Sequence, residues 1–485
     1  MRTKKVLSFL GTSASGLLLL AACGGGAAPA SSAPAPASSA AASSAAASAK
    51  PSAAASAKPS AAASSAASGG ASGSAAAKPS GAASSTASGA ASGAASGAPA
   101  GAAAAAGPAA VAPGGMVTIG VELPMSGGEA ANGVPTSDGV KLAVDQANAK
   151  SGNKYKYQVQ ILDDAVNGVH DPAQGAKNIQ QFIADKTVMG VVGPFNSNVG
   201  QAEIPLSNEA GLTQISPANT NPDLTKPPAA LQLRKAHPTD INYFRVCTTD
   251  DIQGPAGADY TFKNLGKKNV FIIDDNETYG KGIADTFEQR FTQDGGKVLG
   301  HEHLSAGQQD FKSLLTKAKA TNPDVVYYGG VTTTGGGLLR KQMTDVGMQS
   351  LPFVGGDGIE ESEFLKEAGV AAAGTWATVA APIADKLPAA QDFIKAYKAK
   401  YTAGADAMGA YSASGYDAAN IIIQAVESAG ANRAQVRASV ANLKNFQGAL
   451  GAYGFDQNGD TTNKIISLWN VEGNAWVAKD QFSFK

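Results

Sequence analysis

The chain has 485 residues and a formal charge of −1, but these values average two unlike parts. From Gly24 to Gly114, 86 of 91 residues are Ala, Gly, Ser or Pro, with one large apolar residue, Val111, and no aromatic. Such a segment has nothing to offset an ordering cost of about 1–2 kcal/mol per residue, which excludes it from a core. All 39 acidic residues but only 32 of the 38 Lys and Arg follow Gly114, so the remaining 371 residues carry a net charge of −7, which takes away the electrostatic footing of a nucleic-acid partner, and none is expected.

In chain order, Arg2, Lys4 and Lys5 precede an apolar stretch from Val6 to Leu20 that is too short to span a bilayer comfortably. Residues 1–22 therefore read as an export signal. Leu20-Ala21-Ala22-Cys23, followed by three glycines, resembles the lipobox of bacterial lipoproteins. The resemblance implies cleavage before Cys23 and lipid attachment to its thiol, which would anchor the chain to a membrane; a plain secretory signal with a chance cysteine is the other reading. The only other cysteine is Cys247, so lipidation of Cys23 leaves no internal disulfide. Residues 23–114 read as a disordered Ala/Ser/Gly/Pro linker in which Ala-Lys-Pro-Ser recurs at Ala49, Ala57 and Ala77. A coil of that length spans about 50 Å.

Residues 115–485 exceed the length at which one core usually splits, and predict two lobes. Strands are expected at Val117–Leu123, Gln158–Asp163, Val188–Val192, Leu212–Ile215, Tyr243–Cys247, Val270–Ile273, Lys297–His303, Val325–Tyr328 and Phe353–Val354. Helices are expected at Val134–Ala149, Pro172–Ala184, from about Asn198, then at Gly254–Asn264, Gly280–Asp294, Phe311–Thr321, Gly337–Asp345, Ala389–Tyr401 and Tyr411–Ala429. Alternating strands and helices predict an α/β protein with parallel sheets covered on both faces. Ligands of such sheets bind beyond the carboxyl ends of the strands.

The segments Val117–Ser126 (VTIGVELPMS), Asp163-Asp164 and Gly193–Thr220 (GPFNSNVGQAEIPLSNEAGLTQISPANT), with Asp251–Pro255 (DIQGP), Tyr279–Gly282 (YGKG) and Tyr327–Gly330 (YYGG), together resemble the leucine/isoleucine/valine-binding proteins of ABC importers. Their ordered series covers nearly all of Val117–Lys485. The resemblance implies a type I periplasmic binding protein: two α/β lobes joined by three crossovers, near Thr248–Asp251, Thr378–Pro382 and Leu450–Phe455. Lobe 1 would comprise about 115–249 and 380–451, and lobe 2 about 250–379 and 452–485.

Ser197 follows a strand and precedes a helix, where free backbone N–H groups and the helix dipole favour an anion; taken alone, the residue reads rather as a helix cap. By resemblance, Ser197 and neighbouring amides hold a ligand α-carboxylate, while the Ala218 carbonyl and Thr220 hydroxyl meet its ammonium or carboxylate. Asp357, in Gly355-Gly356-Asp357-Gly358, stands where the family pairs an acid with the α-ammonium; the branched-chain amino-acid binders carry Glu there. Tyr279 is expected to close over the ligand and Phe195 to line the side-chain pocket, where Val331 replaces a family tyrosine.

Other constellations carry less. Phe455–Asp460 (FDQNGD) resembles the start of a calcium loop but lacks its terminal glutamate. Asn458-Gly459 instead predicts a hairpin turn between Gly451–Phe455 and Lys464–Asn470. His301 and His303 would share one strand face and could bind a metal together, but with four histidines in the chain and no third ligand nearby a solvated strand face is the expectation, and no metal is expected. Asp274-Asp275 ends a strand and reads as capping or cleft-lining. No P-loop, nucleophile elbow or dinucleotide fingerprint occurs, so neither a cofactor nor an enzyme is expected.

The resemblance implies a lipid-anchored receptor outside the cytoplasm that captures an amino acid, branched-chain or related, by lobe closure and delivers it to an ABC permease and its ATPase. The alternatives are the same fold binding an amide, urea or aromatic acid, or presenting a ligand to a membrane signalling protein.

Overall fold

The computed structural model describes residues 109–401 and 408–484. The expected signal, the lipobox Cys23 and the linker through residue 108 lie outside the described residues. Sixteen strands occur in chain order among the described residues: β1 (Met116–Leu123), β2 (Lys156–Asp163), β3 (Ala165–Val166), β4 (Val169–His170), β5 (Val188–Val192), β6 (Gln214–Ser216), β7 (Tyr243–Arg245), β8 (Asn269–Asp274), β9 (Lys297–His303), β10 (Val325–Gly329), β11 (Phe353–Gly355), β12 (Thr375–Val379), β13 (Phe446–Gly448), β14 (Gly451–Tyr453), β15 (Lys464–Glu472) and β16 (Ala475–Phe484). A five-stranded sheet, ordered β2-β1-β5-β6-β7, is the centre of one lobe; a seven-stranded sheet, ordered β16-β15-β12-β11-β10-β8-β9, is the centre of the other.

The central strands β5 (VMGVV) and β10 (VVYYG) are buried along their whole length, as coverage of both sheet faces requires. Local signals set the helix ends. The helix Pro172–Ala184 starts where the Asp171 carboxylate accepts the Gln174 N–H at 2.7 Å, with Pro172 at its first position. The helix Ser197–Ala210 stops at Gly211, whose φ of +64° suits glycine. The order β2-β1-β5-β6-β7 reverses between β1 and β5, and β9-β8-β10-β11-β12 reverses between β8 and β10. Each reversal opens a crevice at the carboxyl ends of the strands.

The structure departs from the expectations in four places. The second sheet is not wholly parallel, because β15 runs antiparallel to both β12 and β16; these two strands form a hairpin with no helix between them. The folded unit begins before Gly115: Ala109 is buried, Ala110 bridges Asn432, and the Val111 N–H reaches the Ala431 carbonyl at 2.8 Å. Helices at Ala229–Leu233, Ser362–Ala368 and Arg433–Ala441 and strands β3, β4, β12, β13 and β16 lie outside the expected elements.

The fourth departure concerns the Asn458-Gly459 turn and the third crossover. The turn is present, with Gly459 at φ +93°, but it does not join the two expected strands: β14 pairs with β13, and β15 with β12 and β16. Residues 455–460 instead stay with the first lobe. Phe455 packs on Phe244 at 5.0 Å between ring centroids, and Asp460 bonds Arg245 Nε at 2.7 Å. The chain therefore crosses only after Asp460, beyond the expected Leu450–Phe455. Arg245, wholly buried, also donates to the carbonyls of Asn219 (3.1 Å) and Asn221 (2.7 Å) and to the Thr225 hydroxyl. It braces the loop that carries Ala218 and Thr220. Asp460→Ala leaves that guanidinium buried without its countercharge and is expected to lower stability by about 3–5 kcal/mol, read as a fall in the urea midpoint.

Candidate ligand site

The seven side chains expected at the site, Phe195, Ser197, Ala218, Thr220, Tyr279, Val331 and Asp357, line one cleft between the lobes. The first lobe supplies Phe195 and Ser197 from the turn after β5, and Ala218 and Thr220 from the loop after β6. The second supplies Tyr279 from the helix Thr278–Gln293, Val331 from the turn after β10 and Asp357 from the turn after β11. All lie beyond the carboxyl ends of strands that flank an order reversal (β5, β8, β10) or stand next to one that does (β6, β11). Gly193, with φ +137°, makes the turn after β5; a Cβ there would stand 2.1 Å from the Glu122 carbonyl oxygen. Only glycine lets the chain turn this close to β1 and aim Phe195–Asn198 into the cleft.

Ser197 is the first residue of its helix and nearly fully buried. Its hydroxyl accepts the Asn221 N–H at 3.4 Å, which ties the two ligand-facing loops of the first lobe together. The positive end of a 14-residue helix thus faces the cleft.

Opposite it, Asp357 is held by donors from both lobes. Tyr411 of the first lobe donates to Oδ2 at 2.7 Å; Tyr279 and Gln253 of the second donate to Oδ1 at 2.9 and 2.7 Å. Tyr411 is itself fixed by an edge-on contact with Phe195, centroids 5.5 Å apart. All three partners are neutral. Burial pushes the Asp357 carboxyl above its usual range, and the three donors work against that rise. The result is a dry, oriented acceptor with hydrogen bonds but no countercharge, suited to a cation.

The cleft contains residues that the sequence did not single out: His170, Asn196, Asn198, Glu277 and Gly358. His170, on β4, places Nδ1 2.7 Å from Glu129 Oε1 and Nε2 2.7 Å from Glu277 Oε2. Glu129 belongs to the first lobe and Glu277 to the second, so one buried imidazole bridges them. Further lobe-to-lobe bonds run from Thr333 to Glu129 (2.6 Å), from Asn198 to Glu277 (3.1 Å) and from Asn221 to the Thr278 carbonyl (2.6 Å). The lobes stand closed on one another.

Comparison with known proteins agrees with this architecture. Residues 116–474 match the family model described as periplasmic binding protein. The chain is 34% identical over 356 residues to a Leu/Ile/Val-binding protein homologue of Brucella melitensis, covering 73% of this chain and 90% of that one. It is 32% identical over 370 residues to a Leu/Ile/Val-binding protein of Rhizobium johnstonii, covering 75% and 94%. Among solved structures, a leucine-binding protein of Thermotoga maritima superposes with a TM-score of 0.66 at 28% identity, covering 75% of this chain and 98% of that one. A branched-chain amino-acid transporter binding protein of Streptococcus pneumoniae, in complex with isoleucine, gives 0.66 at 26% identity, covering 76% and 99%. The two-lobed fold, the cleft between its sheets and these matches establish that the chain belongs to the leucine/isoleucine/valine-binding family of type I periplasmic binding proteins, the substrate-binding components of ABC transporters.

Proposed function

We propose that this chain is a lipid-anchored receptor outside the cytoplasm that captures a free amino acid, branched-chain or related, by lobe closure and hands it to an ABC permease and its ATPase. The observation that carries the reading is charge placement: a buried carboxylate with only neutral partners faces a helix N-terminus across one cleft. An α-amino acid supplies both missing charges, its ammonium to Asp357 and its carboxylate to Ser197 and the amides after it. Phe195 and Val331 line the remaining wall, where an apolar side chain fits. The relatives named for leucine, isoleucine and valine favour the same ligand class. Binding is the whole of its chemistry in this reading, and Cys23 is its point of attachment.

The fold also occurs in a solute-binding protein of R. palustris in complex with 4-hydroxybenzoate, at 19% identity. An acid without an ammonium would leave Asp357 buried and unpaired here, so the amino-acid reading is preferred. Thermal unfolding of the full chain with a panel of amino acids, amides, urea and aromatic acids tests it. An amino acid at 100 times its dissociation constant should stabilise by about 2.7 kcal/mol, and leucine-like side chains should rank highest. Stabilisation by an aromatic acid or amide, with none from any amino acid, would overturn the reading.

A further inference from the structure

His301 and His303 stand two residues apart on β9, one of the two edge strands of the seven-stranded sheet. The parallel register sets Asp274 of β8 directly opposite His303. The fold thus brings in a third donor that lies 27 residues from His301 in sequence. His301 Nε2 is 2.7 Å from Asp274 Oδ2, and His303 Nδ1 is 2.8 Å from Asp274 Oδ1. We propose that Asp274, His301 and His303 form a binding site for a divalent transition-metal ion of the Zn2+ class, on the outer edge of the second lobe and apart from the ligand cleft.

One ligand atom from each residue lies within 4.8 Å of the others, a spacing that a four-coordinate ion with bonds of about 2.0–2.2 Å closes with small side-chain shifts. Two imidazoles and one carboxylate suit zinc and its neighbours; magnesium and calcium prefer oxygen donors throughout. Three protein donors leave a fourth position for water. Glu288, on the helix Thr278–Gln293, lies 2.5 Å from His301 Nδ1. A carboxylate behind the distal ring nitrogen fixes the tautomer that leaves Nε2 free for the ion, the usual support of a metal-bound histidine. Asp274 is fully buried whereas the His303 side chain is 45% exposed, so the site pairs a rigid anchor with an open approach. Uptake is an exchange at His301, whose two ring nitrogens both face carboxylates: the proton between Nε2 and Asp274 leaves for solvent and the ion takes its place, while His303 offers the lone pair of a neutral ring nitrogen.

Calorimetric titration of the full chain with ZnCl2, repeated with MgCl2 and in buffers of different ionisation heat, tests the proposal. One Zn2+ should bind at this site with proton release, and Mg2+ should not compete. Glu288→Gln should weaken Zn2+ binding by about 10–100-fold, and H303Q, at an exposed strand end, by more than that with unfolding still cooperative. His301→Gln alters a more buried position, so H303Q is the decisive variant. Cys23, His170 and His237 are common to both proteins, and the difference between wild type and H303Q isolates this site. Absence of Zn2+ uptake by the wild type, equal uptake by H303Q, or equal competition by Mg2+ overturns it.

Discussion

Asp357→Asn is expected to lower affinity for the amino-acid ligand by about 3–5 kcal/mol, on the order of a hundred- to several-thousand-fold in Kd. The amide keeps the size of the carboxylate; its oxygen can still accept from Tyr279 and Gln253, while its NH2 faces Tyr411, whose hydroxyl can turn to accept from it. What it loses is the negative charge. In water that would matter little, but this oxygen pair is wholly enclosed when the lobes meet, and a ligand ammonium would be stranded there without a countercharge. Because burial already raises the Asp357 carboxyl above its usual range, removing the charge relieves the ligand-free protein. Asp357→Asn should therefore be as stable as the wild type, or more so, while binding worse. Calorimetry with leucine and thermal unfolding without ligand separate the two effects. An aromatic acid should bind the variant at least as well as the wild type. Unchanged leucine affinity would remove Asp357 from the ammonium role.

The legible parts of this molecule are those whose cause is local. Continuous apolar runs such as Val188–Val192 predict two-faced burial, and Ser197 after such a run predicts a helix N-terminus beyond a strand end. Both arise within a few residues, and the structure has both. The resemblance to a family then ordered seven residues that composition could not connect, and they share one cleft. The unread parts depend on partners far apart in the chain. Asp460 looked like part of a turn because its partner, Arg245, lies 215 residues away, and that pair moved the third crossover. Tyr411 gave no sign of reaching Asp357, 54 residues before it. The hairpin β15–β16 was half seen, because the edge strand Ala475–Phe484 (AWVAKDQFSF) carries Lys479, Asp480 and Gln481 in its middle, as edge strands do to discourage further pairing.

The same blindness hid His170, a single histidine in a two-residue strand. Its environment gives the second large prediction: closure, and with it ligand affinity, should weaken as pH rises above neutrality. Burial opposes a charge on His170, but Glu129 and Glu277 outweigh it and hold the imidazole well above its ordinary value. Asp164 and Asp275 also face this cluster, but burial raises both carboxyls, Asp275 to about 7, so they favour their neutral forms at acid pH and gain charge only as pH rises, while Asn198 and Thr333 complete the bonding of Glu277 and Glu129. The pairing with Glu277 exists only when the lobes meet. A group whose pKa is raised in the closed form contributes stability that is fully present below its ordinary value, about 6.5, and lost as pH climbs through the raised one. Leucine should thus bind more tightly at pH 6 than well above the raised value. His170→Gln should flatten that dependence, since its NH2 can still donate to a carboxylate but cannot titrate, leaving the weaker contribution of Asp275. His170→Ala should do worse, leaving Glu129 buried without its partner and facing Glu277 across the gap, at a cost to the closed form of about 3–5 kcal/mol. Small-angle scattering follows closure directly: the alanine variant should remain extended at leucine concentrations that compact the wild type. A variant that closes as readily as the wild type, with an unchanged pH profile of binding, would show that the imidazole packs between the lobes without joining them.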